Sequence, residues 1–254
     1  MTGHSVPTIF ARNRAISRIR RGTARGDARA AQRYLWDDIC EDTAERLAFV
    51  RHQPERSLVI GNCSDPLLAV LQSGKLDRHD GIDFNVEAPF TTAGYDFVGI
   101  VGLLDAVNDL PGALIHIRNA LVPGGLVIAS FIGGQSLPRL RAAMLAADGD
   151  RPAARIHPMV DARAAPQLLQ RAGWKDPVVD THTLKVRYSS LDNLVSDLRD
   201  HGLTSALADR APPLGKAALV RARAAFLDQA DADGKVPETF EIVTLTGRRS
   251  LAGS

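Results

Sequence analysis

The segment best suited to bind a ligand is the short turn Gly61-Asn62-Cys63-Ser64-Asp65. It follows an apolar run at residues 57–60 that has the length of a buried strand, and it precedes an apolar run that predicts a helix. A glycine at such a strand end lets the backbone approach a ligand, and the helix N-terminus offers free N–H groups. The pattern predicts a nucleotide-like ligand at Gly61, Asn62 and Cys63. An ordinary tight turn is the alternative, because only one glycine is present.

Other arrangements that support catalysis or metal binding are missing from the sequence. The seven histidines are scattered, and none has a second histidine or a cysteine at the spacing of metal ligands. No Ser/His/Asp set, phosphate-binding loop or zinc ribbon is found. The two cysteines, Cys40 and Cys63, are too few for a disulfide framework. We therefore predict no metal site and assign no catalytic residue from the sequence.

The composition is that of a globular protein with nearly balanced charge. The chain has 254 residues, 45% of them apolar, with 31 Lys and Arg against 29 Asp and Glu. These values exclude a disordered chain, a fibre or a coiled coil as the main state. No run of about 18 apolar residues occurs, so we expect no transmembrane helix. We expect a cytoplasmic protein with one large α/β domain or two small ones.

The first 26 residues contain six arginines and no acidic residue. Such a segment is typical of a mitochondrial transit peptide, of an arm that contacts acidic partners or the membrane surface, or of a solvated helix that docks loosely on the body. Nucleic-acid binding is not expected, because no aromatic residues are interleaved with the arginines. We divide the chain into a basic N-terminal arm and helix, residues 1–50, and an α/β domain, residues 51–254.

Alternating apolar strands and amphipathic helices predict the fold of the second part. Buried strands are expected at 57–60, 97–101 and 126–131, with helices at 67–71 and after Asn108 or Asp109, either of which can cap the helix. This order indicates parallel βαβ units and a doubly wound sheet. The second half continues with helices near 136–147, 162–172, 190–202 and 213–231 and with strands near 178–188 and 240–246.

Several segments together resemble the class I S-adenosylmethionine-dependent methyltransferases. They are Tyr95-Asp-Phe-Val, Val107-Asn-Asp-Leu-Pro-Gly-Ala-Leu114 and Arg118-Asn-Ala-Leu-Val-Pro-Gly-Gly-Leu126, which resemble the fourth strand, the next helix and the fifth strand of that family. The resemblance implies a doubly wound, mostly parallel sheet of the seven-stranded type. It also implies S-adenosylmethionine as the cofactor.

Further segments along the chain resemble a narrower group. The opening Ile9-Phe10-Ala11-Arg12 and the runs Leu168-Leu-Gln-Arg-Ala-Gly173 and Pro237-Glu-Thr-Phe-Glu-Ile-Val243 are similar to the alphaproteobacterial relatives of a complex I assembly factor that hydroxylates an arginine. That group is in turn similar to the malonyl-acyl-carrier-protein methyltransferases. The resemblance implies a protein or acyl-carrier substrate and a link to assembly of respiratory complex I.

The chain departs from the family pattern in the first motif, which reads roughly "DLGxGxG". Val59 stands in place of the acid, and Cys63 and Asp65 stand at the second and third glycine positions. We expect the Asp65 carboxylate to repel the cofactor's carboxylate at a cost of about 1–4 kcal/mol. A fold that persists without the cofactor, in an assembly or interaction factor, is therefore the alternative to an enzyme.

The sequence offers more than one candidate for the acidic residue that contacts the adenosine. The family's ribose-binding acid lies about 20 residues after the first glycine, and Asp80 and Asp83 fall near that spacing. The segment with Glu87 then follows almost at once, so this stretch is shorter than in the family by about one strand and helix. We expect Asp83 or Glu87 to meet the adenosine, and the sequence leaves open which. Val101 and Leu103, at the end of a core strand, complete the predicted site.

One further departure concerns the substrate side of the family's site. Leu104-Asp105-Ala106 stands where the relatives carry a "LHW" run. Asp105 is either a solvent-facing structural acid or a site residue.

Overall fold

A single six-stranded sheet organises the part of the chain that the computed structural model describes, residues 7–29 and 33–251. Its strands are β1 (Arg56–Gly61), β2 (Lys75–His79), β3 (Tyr95–Val101), β4 (Leu121–Ile132), β5 (Lys175–Tyr188) and β6 (Val236–Arg248). They are arranged in the order β2-β1-β3-β4-β6-β5. The first four in this order are parallel, and β6 runs antiparallel to both β4 and β5.

Helices cover both faces of the sheet. They are α1 (Arg12–Arg29), α2 (Tyr34–Phe49), α3 (Asp65–Leu71), α4 (Leu110–Ala120), α5 (Pro138–Asp148), α6 (Ala165–Arg171), α7 (Leu191–Asp200) and α8 (Lys216–Leu227), with a 3-10 turn at Leu104–Ala106. Alternate residues of a strand face opposite sides. Val59 therefore belongs to the core on the face that α2, α3, α5, α7 and α8 cover, whereas Leu58 and Ile60 belong to the core on the face that α4 and α6 cover. This arrangement confirms the doubly wound α/β fold.

Two helices begin as the sequence predicts. The Asp109 carboxylate accepts a hydrogen bond from Gly112 N and so caps α4, while Ser190 Oγ accepts one from Asn193 N and caps α7. Each bond satisfies an N–H group that a helix leaves unpaired in its first turn.

The expected seven-stranded sheet is corrected to six strands within the described residues. Residues 80–94 connect β2 to β3 without a helix or strand. A parallel crossover alone takes a dozen or more residues, so this connection has no room for a further strand and its helix. β2 is consequently the terminal strand on its side of the sheet, and its residues are exposed or half-buried.

The two N-terminal helices pack differently against the domain. α2 contributes Leu35, Trp36 and Ile39 to the core on one face of the sheet. α1 lies along α7 so closely that a Cβ on Gly22 would stand 2.8 Å from the backbone nitrogen of Gly202. The boundary between the N-terminal arm and helix and the α/β domain, which the sequence places at residue 50, stays a prediction. Within residues 7–29 and 33–251, no helix is both long and apolar enough to span a membrane.

Candidate functional site

Three glycines with positive φ mark the edge of the sheet where the parallel strands end. Gly61 (φ +108°) closes β1, Gly81 (φ +82°) follows β2 and Gly102 (φ +71°) follows β3. A Cβ on Gly61 would overlap the Val101 carbonyl oxygen, and one on Gly102 would stand 2.5 Å from the Trp36 ring. These positions require glycine because the left-handed region disfavours a side chain and the surrounding atoms leave no room for one.

Leu103 fills the space between the ends of β1 and β2. A Cβ on Gly81 would lie 2.8 Å from Leu103 Cδ2, and one on Gly61 would lie 3.1 Å from Leu103 Cγ. The side chain therefore reaches both strand ends. Of the predicted site residues, Gly61, Val101 and Leu103 are brought together here.

Helix α1 covers what remains of this edge. Two cavities lie beneath it, of about 30 Å³ and about 50 Å³. Arg18 and Ile19 of α1 line both of them; Asn62 lines the smaller one and Leu103 the larger. Sites that hold small organic ligands usually measure roughly 300–1,000 Å³. The cavities in this conformation hold a water molecule or two, not a nucleotide-sized ligand.

A buried ion pair holds α1 in this position. Arg18 Nη2 lies 3.0 and 2.9 Å from the two carboxylate oxygens of Asp105, and both residues are 3% exposed. Arg18 also donates to the Thr204 carbonyl at 3.3 Å. His157 Nε2 lies 3.5 Å from Asp105 Oδ2, beyond a normal hydrogen bond. Asp105 is therefore buried against α1. It is not a solvent-facing structural acid, which was one of the two alternatives from the sequence.

The ion pair leads to a prediction for acid unfolding. Burial is the largest single influence and raises the pKa of Asp105, but Arg18 and His157 together outweigh it and lower that pKa to about 2. The ionised carboxylate therefore stabilises the fold fully above the unfolded pKa near 4, and this contribution is lost as the pH falls from about 4 to about 2. We expect the free energies of unfolding of wild type and Asp105→Asn, measured in urea, to converge across this range. A constant difference would contradict the role of the charge.

Comparisons with known proteins place this geometry in a family. A family model described as a methyltransferase domain matches residues 27–178, more than half of the chain. The chain belongs to the class I S-adenosylmethionine-dependent methyltransferase family. The fold agrees with the crystal structure of the Bacillus halodurans methyltransferase candidate BH2331, with a TM-score of 0.52 and 10% identity over 82% of this chain and 98% of the other.

Two curated relatives are similar in sequence. The mitochondrial arginine-hydroxylase NDUFAF5 of Mus musculus is 31% identical over 163 residues, 63% of this chain and 48% of the relative. The malonyl-[acyl-carrier protein] O-methyltransferase of Xylella fastidiosa is 31% identical over 156 residues, 61% of this chain and 52% of the relative. The matches therefore span about half the length of these relatives.

Family membership supports S-adenosylmethionine, the cofactor predicted from the sequence, and the described conformation is closed to it. In methyltransferase domains the cofactor lies across the carboxyl ends of the parallel strands, as the crevice rule for such sheets requires. Here Leu103, Trp36 and α1 occupy that crevice. The two cavities beneath α1 are too small for an adenosyl group.

Of the other predicted cofactor contacts, Asn62 and Glu87 line the small cavities under α1, whereas Asp83 lines neither of them. Asp83 is exposed in the β2–β3 connection. The Glu87 carboxylate accepts hydrogen bonds from the backbone nitrogens of Asn108 (2.7 Å) and Asp109 (2.9 Å), so it supports the start of α4. Asp65 is exposed and lines neither small cavity, and its expected repulsion of the cofactor's carboxylate stays a prediction.

Cys63 is buried in the core, at the base of an open depression that Ser64 and Asp65 also line. The neighbouring Cys40 thiol and burial raise the pKa of Cys63 above its ordinary value. It is therefore a protonated thiol at neutral pH and unsuited to nucleophilic catalysis. The residues described in the structure contain no group of three or more side chains arranged to hold a metal ion.

Sequence reasoning missed an acid–base arrangement on α7. His201 Nδ1 lies 3.2 Å from Asp197 Oδ1, and Asp197 also accepts hydrogen bonds from the hydroxyls of Tyr34 and Tyr188. His201 is 4% exposed, lines the smaller cavity, and has no hydrogen-bond partner for Nε2. A carboxylate that orients a histidine in this way prepares it as a general base. The four-residue spacing of Asp197 and His201 on a predicted helix was the available signal.

Three of the N-terminal arginines bond to the body of the domain. Arg18 pairs with Asp105, Arg25 Nε lies 2.7 Å from Asp200 Oδ1, and Arg14 donates to the Leu207 carbonyl. The N-terminal segment therefore docks firmly, through charge as well as through buried Phe10. A contact between this segment and a membrane surface stays a prediction.

Proposed function

We propose that this chain is a methyltransferase that binds S-adenosylmethionine after α1 has moved, acts on a protein or on an acyl-carrier substrate, and serves the assembly of respiratory complex I. The observation that carries the proposal is the preserved strand edge, where Gly61 and Gly102 keep the glycine-only backbone of a cofactor crevice. The substrate class rests on the relatives, whose names give an arginine hydroxylase and an acyl-carrier-protein methyltransferase. The cytoplasmic location expected from the sequence also stays a prediction.

Movement of α1 opens the space that the proposal needs. The helix touches the crevice through Arg18 and Ile19 and reaches α7 through Gly22. Once it lifts, His201 faces the crevice from α7, beside Asn62 and Gly102. In the open state these residues would border the cofactor and the substrate group, with His201 placed to accept a proton.

The proposal predicts that a wedge under α1 increases cofactor affinity. A valine at Gly22 would collide with the backbone of Gly202, whereas a valine at Gly26, one turn further along the same helix, meets nothing within 4 Å. If the closed form predominates, apparent affinity falls in proportion to the open fraction. We expect Gly22→Val to bind S-adenosylmethionine at least about tenfold more tightly than wild type or Gly26→Val, measured by isothermal titration calorimetry.

Each outcome of the titration decides between two functions. The second candidate is a cofactor-deficient methyltransferase-fold protein that acts as an assembly or interaction factor. Its specific support is Leu103, which fills the crevice from within the domain and would stay there when α1 leaves. Absence of binding at millimolar S-adenosylmethionine and S-adenosylhomocysteine in wild type and in Gly22→Val would reject the enzyme and favour this factor.

A further inference from the structure

A third cavity, larger than the two beneath α1, lies between helices α5, α7 and α8. It measures about 450 Å³, within the range of roughly 300–1,000 Å³ that is typical of small-molecule sites. It is distinct from the covered crevice, since neither Gly61 nor Leu103 lines it. Most of its lining is apolar, so a ligand that entered it would bury apolar surface that is now open to solvent.

The lining indicates an aliphatic occupant. Leucine, isoleucine and valine side chains form most of the wall, and Met144 and Met159 add flexible thioethers that adapt to a ligand's shape. Phenylalanine, tyrosine and tryptophan are missing from the lining, so stacking with an aromatic ligand has no partner here. A flexible hydrocarbon chain matches these walls.

The charges around the cavity favour an anionic end on that chain. Asp192 is paired with Arg223, and Arg155 is paired with Asp148. Arg199 is exposed at the cavity and forms no ion pair with any residue in 7–26 or 33–251, the residues whose side chains are described. Its guanidinium is thus the uncompensated charge there, and a carboxylate is the group that it binds with matching geometry.

His157 is a buried polar residue in the lining of this cavity. It is 2% exposed, and its Nε2 has no hydrogen-bond partner within the described part of the chain. It separates the cavity from Asp105 and the ion pair that holds α1. Because Arg199 is exposed and His157 is buried, a chain held at Arg199 would extend toward the interior of the domain.

We propose that this cavity binds a free aliphatic carboxylate, with the hydrocarbon chain among α5, α7 and α8 and the carboxylate at Arg199. The site does not depend on the proposed methyl transfer. Its recognition chemistry is burial of an unbranched chain together with one charge-assisted contact at the rim.

The test uses dansyl-undecanoic acid, whose fluorescence rises in an apolar site, with the full chain and a matched pair of variants. Val195 lines the cavity from α7, so Val195→Trp places an indole inside it. Leu145 on α5 is 60% exposed and lies outside this cavity, so Leu145→Trp adds the same ring elsewhere. We expect saturable binding by wild type and Leu145→Trp and at least about a tenfold loss in Val195→Trp.

The contact between Arg199 and the ligand's carboxylate is tested by displacing the fluorescent probe with dodecanoate and with dodecanol, which lacks the carboxylate. Arg199→Gln should weaken displacement by dodecanoate about fivefold, the effect of one exposed ion pair, and leave displacement by dodecanol unchanged. Equal effects on both ligands would overturn the assignment of Arg199.

A second variant that fills the cavity tests the proposed binding site if the first variant does not fold. If Val195→Trp does not fold, Leu219→Trp fills the same space from α8. Wild-type binding that does not saturate, or equal binding by filled and unfilled variants, would overturn the proposal. Because no S-adenosylmethionine is present in these titrations, their failure is separate from failure of the proposed enzyme.

Discussion

Replacing Asp105 with alanine should lower the free energy of unfolding by about 3–5 kcal/mol, because it leaves the Arg18 charge buried without its partner. The pair is 3% exposed and lies between α1 and the sheet edge. For a chain of this length the loss corresponds to a fall of roughly 10 °C in the melting temperature. Urea denaturation followed by circular dichroism measures it directly.

The controls for this prediction separate charge burial from general damage. The exposed pair of Arg163 and Asp161 lies at 2.9 Å, yet Asp161→Ala should change stability little, because water screens that pair. The double variant Arg18→Met/Asp105→Leu should recover much of the loss, because it removes both charges and keeps apolar volume. A loss in Asp105→Ala no greater than that in Asp161→Ala would mean that the ion pair does not hold α1.

The substitution Gly61→Ala should also destabilise the fold strongly. Its φ of +108° costs a side-chain-bearing residue about 1–3 kcal/mol, and overlap of the new Cβ with the Val101 carbonyl adds to that cost. The β1–β3 pairing would have to shift at the crevice. The free energy of unfolding in urea measures the effect.

Gly26→Ala is the matched control for Gly61→Ala. Gly26 lies in helix α1, and a Cβ there meets nothing within 4 Å. Alanine favours helix, so this variant should be neutral or slightly more stable. If Gly61→Ala behaved in the same way, the turn after β1 would not be the constrained element that we describe.

The sequence was sufficient to predict the parts of the fold that depend on local patterns. Buried strands before Gly61 and Gly102, the cap at Asp109 and a shortened connection before β3 all follow from residue spacing. The sequence predicts a stretch before β3 that is shorter by about one strand and helix, and the sheet order shows the consequence, since β2 is the terminal strand.

Whether the crevice is open or covered could not be predicted from local sequence patterns. Arg18 and Asp105 are 87 positions apart, and no local pattern indicates that they meet. Asp65 changes the motif in the sequence but lies exposed, whereas Leu103, an unremarkable residue beside a strand end, fills the space. Long-range packing therefore decides whether a cofactor enters.

The unpaired outer side of β2 has a consequence for self-association. No strand among the described residues covers it, so its backbone amides and carbonyls could template a strand from another molecule. Lys75, Asp77 and Arg78 place alternating charges along this border. Such charges discourage edge-to-edge aggregation, and they do here what a covering strand does in a wider sheet.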